Sequence, residues 1–139
     1  MRRLGAIVGG WVVVSAVVAA GCRPPDTADL TELQRVKSGV LDVVLLSPRD
    51  ALRHGKDAFA IEFRATSDGH LVDVGEVRGG ASMPMAGTPM FGSLDVKRTN
   101  VAGRYAAAAE FPMAGTWRLS IEWDGPAGRG SVTFSGAVQ

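Results

Sequence analysis

Thr116-Trp117-Arg118-Leu119-Ser120-Ile121-Glu122-Trp123 is the stretch that decides the fold. Trp117, Leu119, Ile121 and Trp123 fall on one side of an extended chain, and Arg118, Ser120 and Glu122 on the other. That period of two belongs to a strand with one face in a core and one in water. Working outward, Asp124-Gly125-Pro126-Ala127-Gly128 turns the chain toward a short apolar strand over residues 131–134. Upstream, residues 103–111 hold an alanine run that favours helix on propensity alone. Its length, Gly103 before it and Pro112 after it predict a strand instead.

Residues 58–64 alternate cleanly, with Phe59, Ile61 and Phe63 on one face, and Ser67-Asp68-Gly69 supplies a turn. Further strands are expected over residues 40–46, 71–77 and 91–96. Seven short strands with no helix of ordinary length predict an all-β, immunoglobulin-like β-sandwich over residues 39–139. Gly103-Arg104-Tyr105 resembles the tyrosine corner of such sandwiches, in which the phenol bonds backbone across a loop. The alternative is that Tyr105 is simply a core aromatic.

The first 38 residues read differently. Met1-Arg2-Arg3 is a short positive start, followed by an apolar run over residues 4–18 and then Ala19-Ala20-Gly21 before Cys22. This is the layout of a secretory signal over residues 1–21. Small residues directly before a cysteine resemble the bacterial lipobox, which implies cleavage before Cys22 and acylation of its sulfur. The apolar run is short of the ~20 residues a spanning helix needs. Several acyl chains at ~0.8 kcal/mol per buried methylene would anchor the chain stably to a membrane. We therefore expect a lipid-anchored protein of the cell envelope, facing the periplasm or exterior, and Arg23 favours the outer membrane by resemblance to enterobacterial sorting. Residues 22–38, polar and starting with Pro24-Pro25 after Arg23, are expected to be a flexible tether with at most a weak helical turn.

Charge narrows the partners. Fifteen Lys and Arg against fourteen Asp and Glu leave a net charge of +1, unlike the basic face that nucleic acid demands. Cys22 is the only cysteine, so no intramolecular disulfide can form. With that thiol acylated, a soft-metal site must come from methionine and histidine.

Met83-Pro84-Met85-Ala86-Gly87-Thr88-Pro89-Met90 packs three thioethers and two prolines into eight residues. Proline excludes both helix interior and central strand, so a stiff loop is expected. If strands alternate in direction, this loop shares one end of the sandwich with residues 47–56 and with the turn at Pro112-Met113-Ala114-Gly115. Met83, Met85, Met90, Met113 and His54 then gather at one pole, while His70 lies a strand length away, on the order of 20 Å. Thioethers are soft donors that suit Cu(I) and need no deprotonation. The competing explanation is packing, because methionine fills irregular gaps and adaptable surfaces.

These motifs together suggest a family. Ser47-Pro48, Gly55, the strand at Phe59 to Phe63, Met83-Pro84-Met85, Gly103-Arg104-Tyr105 and Phe111-Pro112-Met113-Ala114-Gly115-Thr116-Trp117 resemble the YtkA-like/FixH-like domain. The resemblance implies a small extracytoplasmic immunoglobulin-like domain, in some members associated with copper handling or cytochrome oxidase assembly. It places the family motif on Met83, Pro84, Met85 and Met113. Residues 86–89, inserted before Met90, depart from the commonest pattern. An envelope metal-transport or oxidase-assembly protein is the partner it implies.

No enzyme is expected. No Gly-x-Ser-x-Gly elbow occurs, His54 has no acidic partner in a recognisable motif, and no His-x-x-His or Cys-x-x-Cys spacing points to zinc. Asp50, Asp57, Glu62, Glu76, Glu110 and Glu122 are expected in solvent. The alternative to a copper-handling accessory domain is a non-metal structural or protein-interaction module.

Overall fold

A computed structural model describes residues 29–139. The signal segment over residues 1–21, Cys22 and residues 23–28 of the expected tether lie outside the described residues. Eight strands follow in order: β1 Thr31–Ser38, β2 Leu41–Ser47, β3 Gly55–Ala65, β4 Glu76–Met83, β5 Met90–Arg98, β6 Arg104–Phe111, β7 Gly115–Gly125 and β8 Gly128–Val138. All pairings between these strands are antiparallel, in the order β1-β2-β3-β6-β5-β4-β7-β8. The sheet folds over at β5, where Met90, Phe91 and Gly92 pair with β4 and Ser93 to Arg98 pair with β6. The layers β2-β3-β6-β5 and β4-β7-β8 reproduce the four-plus-three arrangement of immunoglobulin constant-type sandwiches, with β1 as an added edge.

The alternation read from the sequence builds the core. Trp117, Leu119, Ile121 and Trp123 are buried and Arg118, Ser120 and Glu122 exposed. They face Phe59, Ile61, Phe63, Tyr105, Ala107 and Phe111 from the opposite layer. Phe63 meets both Tyr105 and Trp123 edge-to-face at 5.3 and 5.1 Å, a favoured aromatic geometry. The alanine-rich segment is strand β6, as expected, with Ala107 and Ala109 turned inward.

Three expectations need correction. The tether over residues 22–38 is not loose throughout, because Thr31–Ser38 is strand β1, paired with β2. Leu33 and Val36 both pack on the core although three residues apart, because a bulge between Glu32 and Gln34 shifts the register. The strand expected over residues 71–77 is displaced. Only Leu71 bridges to Arg64 there, the chain turns at Gly75 (φ 86°), and β4 runs on to Met83. Glycines 79 and 80 hide its alternation. The strand count is therefore eight rather than seven.

Tyr105 is buried and its hydroxyl donates to the Gly75 carbonyl at 2.8 Å. The bond does cross a loop, but Tyr105 lies on β6, the fifth strand of an immunoglobulin sandwich, not the sixth that carries a tyrosine corner. Removing the hydroxyl in Tyr105→Phe strands a buried carbonyl, so an unfolding titration should show a loss of about 1–3 kcal/mol. Asp73 sits beside this bond. It accepts from the Gly75 amide at 2.9 Å and pairs with Arg98 at 2.9 Å. The Gly75 amide first, and Arg98 next, hold its carboxyl below the ordinary value. A carboxyl lowered in the folded state contributes stability above its unfolded pKa of 3.8 and loses it as pH falls through the folded value. The stability gap between the native protein and Asp73→Asn should therefore narrow between neutral pH and pH ~3.

Candidate functional site

The four methionines of the described chain all fall at one pole. Strand direction dictates this: β2, β4 and β6 run toward the pole that holds the connections 48–54, 84–89 and 112–114. The connections 66–75, 99–103 and 126–127 lie at the other. His70, hydrogen-bonded to Asp68, is at that far pole, away from the methionines.

Within the pole the thioethers differ. Met83 and Met90 are directly opposed in the β4–β5 ladder and so share a face. Both pack against the core, Met83 only 8% exposed and Met90 partly buried. The Met83 sulfur lies against Gly115, where an added β-carbon would sit 2.7 Å from Sδ. Only glycine leaves that sulfur its place at the start of β7. Met113 stands two residues earlier on the same turn and is 43% exposed; Met85, two residues past Met83, is 47% exposed. The expected loop thus begins after Met83, which ends β4 pointing inward.

Trp117 supports this end from below. Its indole Nε1–H donates to the Met113 carbonyl at 2.9 Å, and its ring packs against Phe111 at 5.3 Å between centroids. His54 reaches the same pole but is tied elsewhere. Its amide donates to the Gln139 carbonyl at 2.7 Å and its Nδ1 lies 3.1 Å from that oxygen. One ring nitrogen is thus committed to the end of β8, not to the methionine loops.

Two acids expected in solvent are buried. Asp57 pairs with Arg49 and accepts from the Arg53 and Ala58 amides at 2.8 and 2.9 Å, which clamps the 48–54 connection. Glu62, 2% exposed, is held by Arg64 at 3.0 Å and by Arg104 at 3.5 Å. Glu76, Glu110 and Glu122 are exposed. Phe91, 68% exposed beside Ser82 at the methionine pole, was not singled out from the sequence. Its position between the inward Met90 and Gly92 was the available signal.

Among the described residues no three His, Cys, Asp or Glu side chains gather so as to hold a metal ion. The thioethers are a different donor class. Their softness suits a cuprous ion, and the Met83 sulfur, buried against Gly115 with Met90 across the ladder and the Met113 turn beside it, belongs to that donor class.

A family model described as YtkA-like matches residues 35–122. The chain belongs to the YtkA-like family. The match starts within β1 and ends within β7, so it covers most of the sandwich and the four methionines of the described residues. No curated protein and no solved structure matches the chain. Among the described residues of this YtkA-like protein, no helix is long and apolar enough to cross a membrane.

Proposed function

We propose that this YtkA-like protein is a lipid-anchored extracytoplasmic accessory domain that binds Cu(I) through its methionine pole. The observation that carries the reading is the Met83 sulfur held against Gly115, opposite Met90, with Met85 and Met113 exposed beside it. Met83, Met90 and Met113 would hold the ion and Met85, exposed on the rim, would capture it. His54 offers its remaining ring nitrogen. The bound ion would supply redox or transfer chemistry to an envelope partner of the metal-transport or oxidase-assembly kind. The protein's own part is to hold thioethers at a stiff, proline-bounded rim and exclude water beneath them with Trp117.

The test is competition for Cu(I) between the full chain and a cuprous chelator. The native protein should withdraw copper, and the combined variant Met83→Leu, Met85→Leu, Met113→Leu should not. Each Met→Leu change conserves volume and should cost less than ~1.5 kcal/mol of stability, so lost binding would report ligation rather than unfolding. Full affinity in the triple variant rejects the ligand assignment.

Phe91 favours a second reading, a protein-interaction module without metal. An exposed aromatic at the same pole as the exposed Met85 and Met113 is the composition of a docking surface. On that reading Met→Leu is nearly silent, while Met85→Asp or Phe91→Asp abolishes recovery of the partner.

A further inference from the structure

The point where the chain joins the domain coincides with the methionine pole. Thr31, the first residue of β1, is paired with Ser47, the last of β2, immediately before the 48–54 connection. We infer that the methionine pole rests on the lipid bilayer, with Phe91, Met85 and Met113 as the side chains in contact. The inference depends on the proposed acylation of Cys22, and three observations support it.

The first is reach. Leu30 lies eight residue steps after Cys22, a span of at most ~29 Å. Strands β7 and β8 have eleven residues each, about 36 Å at ~3.3 Å per residue. An anchor at Cys22 is therefore too short to let the opposite pole settle on the bilayer while β1 starts at the methionine end.

The second is charge. Neither residues 82–91 nor residues 111–117 contain an Asp, Glu, Lys, Arg or His. The third connection of this pole, 48–54, carries Arg49, Asp50, Arg53 and His54, and the far pole carries Asp68, His70, Asp73, Arg98, Arg104, Asp124 and Arg129 in or beside its connections. The two methionine-bearing connections are therefore the part of this pole that meets the acyl boundary without the cost of desolvating ions, with the 48–54 charges left among the headgroups.

The third is exposure. Among the described residues, three of the four large apolar side chains left most exposed, Met85, Phe91 and Met113, lie on this rim, and Val40 lies at the far pole. A few apolar side chains bind a membrane weakly. The anchor changes that, because tethering makes the contact intramolecular at an effective concentration on the order of millimolar. A bilayer fits this surface better than a soluble partner, since the tether holds it facing lipid. It would also turn the metal end toward membrane-embedded partners.

The experiment uses the full, acylated chain in vesicles of phosphatidylethanolamine and phosphatidylglycerol. With Cys22 acylated, a cysteine introduced by Ala86→Cys or by Val40→Cys is the only free thiol, and each takes an environment-sensitive fluorophore. Spin-labelled lipid should quench the fluorophore at position 86 several-fold more than that at position 40. Adding Phe91→Ser and Met113→Ser should erase most of the difference. Vesicle flotation with equal quenching at both positions, or with stronger quenching at position 40, overturns the inference alone. A native chain that does not float with the vesicles overturns the anchor and the inference together. Neither readout involves copper, so each stands apart from the fate of the metal site.

Discussion

Replacing Trp117 by alanine is expected to lower the unfolding free energy by about 3–5 kcal/mol, as fully buried aromatics do when truncated. Trp117 is 1% exposed, packs on Phe111, and donates to the Met113 carbonyl. The variant loses contact area in the core and the single hydrogen bond that fixes the Met113 turn. Trp117→Phe separates the two effects. It keeps most of the ring volume but frees the Met113 carbonyl, so it should lose stability modestly and copper affinity disproportionately. Urea titrations of both variants beside their Cu(I) competition curves check this. If Trp117→Phe binds copper as the native protein does, the turn does not need that hydrogen bond.

Gly115→Val is expected to cost about 2–6 kcal/mol. The new β-carbon would meet Met83 Sδ at 2.7 Å, and overpacking of this kind costs ~1–3 kcal/mol. Gly115 also has φ 149°, a conformation that charges a side chain ~1–3 kcal/mol of strain. The two contributions can be told apart by a double-mutant cycle. In a Met83→Ala background the sulfur is gone, and Gly115→Val should cost only the strain. Additive costs in that cycle would mean that the sulfur does not press on Gly115.

Much of this architecture could be read from residue order alone, and the parts that could not share identifiable causes. Strands β3 and β7 show one apolar face each, so period-two alternation found them. Strand β1 escaped because Leu30, Leu33 and Val36 are spaced by three, which mimics a helical stripe; the bulge at Glu32 to Gln34 is what makes that spacing compatible with a strand. Strand β4 escaped because two glycines leave nothing to alternate. The burial of Asp57 and Glu62 was not legible because part of what holds each charge comes from another element: Arg49 in the 48–54 connection for Asp57, and Arg104 on β6, joining the local Arg64, for Glu62.

The gathering of the methionines survived these errors. It depends only on the alternation of strand direction, and neither adding β1 nor shifting β4 changes which pole a later connection occupies. Sequence could not show that Met83 turns inward while Met85 and Met113 stay exposed, because that follows from where β4 ends. The distinction gives the pole an inner pair, Met83 and Met90, and an outer pair, Met85 and Met113, the arrangement on which the copper reading rests.

X-ray absorption at the copper edge, on the full chain loaded with one equivalent of Cu(I), tests the central claim most directly. A first shell dominated by sulfur is expected, diminished when Met83, Met85 and Met113 are changed to leucine. A shell of nitrogen and oxygen alone, unchanged in that variant, would contradict it.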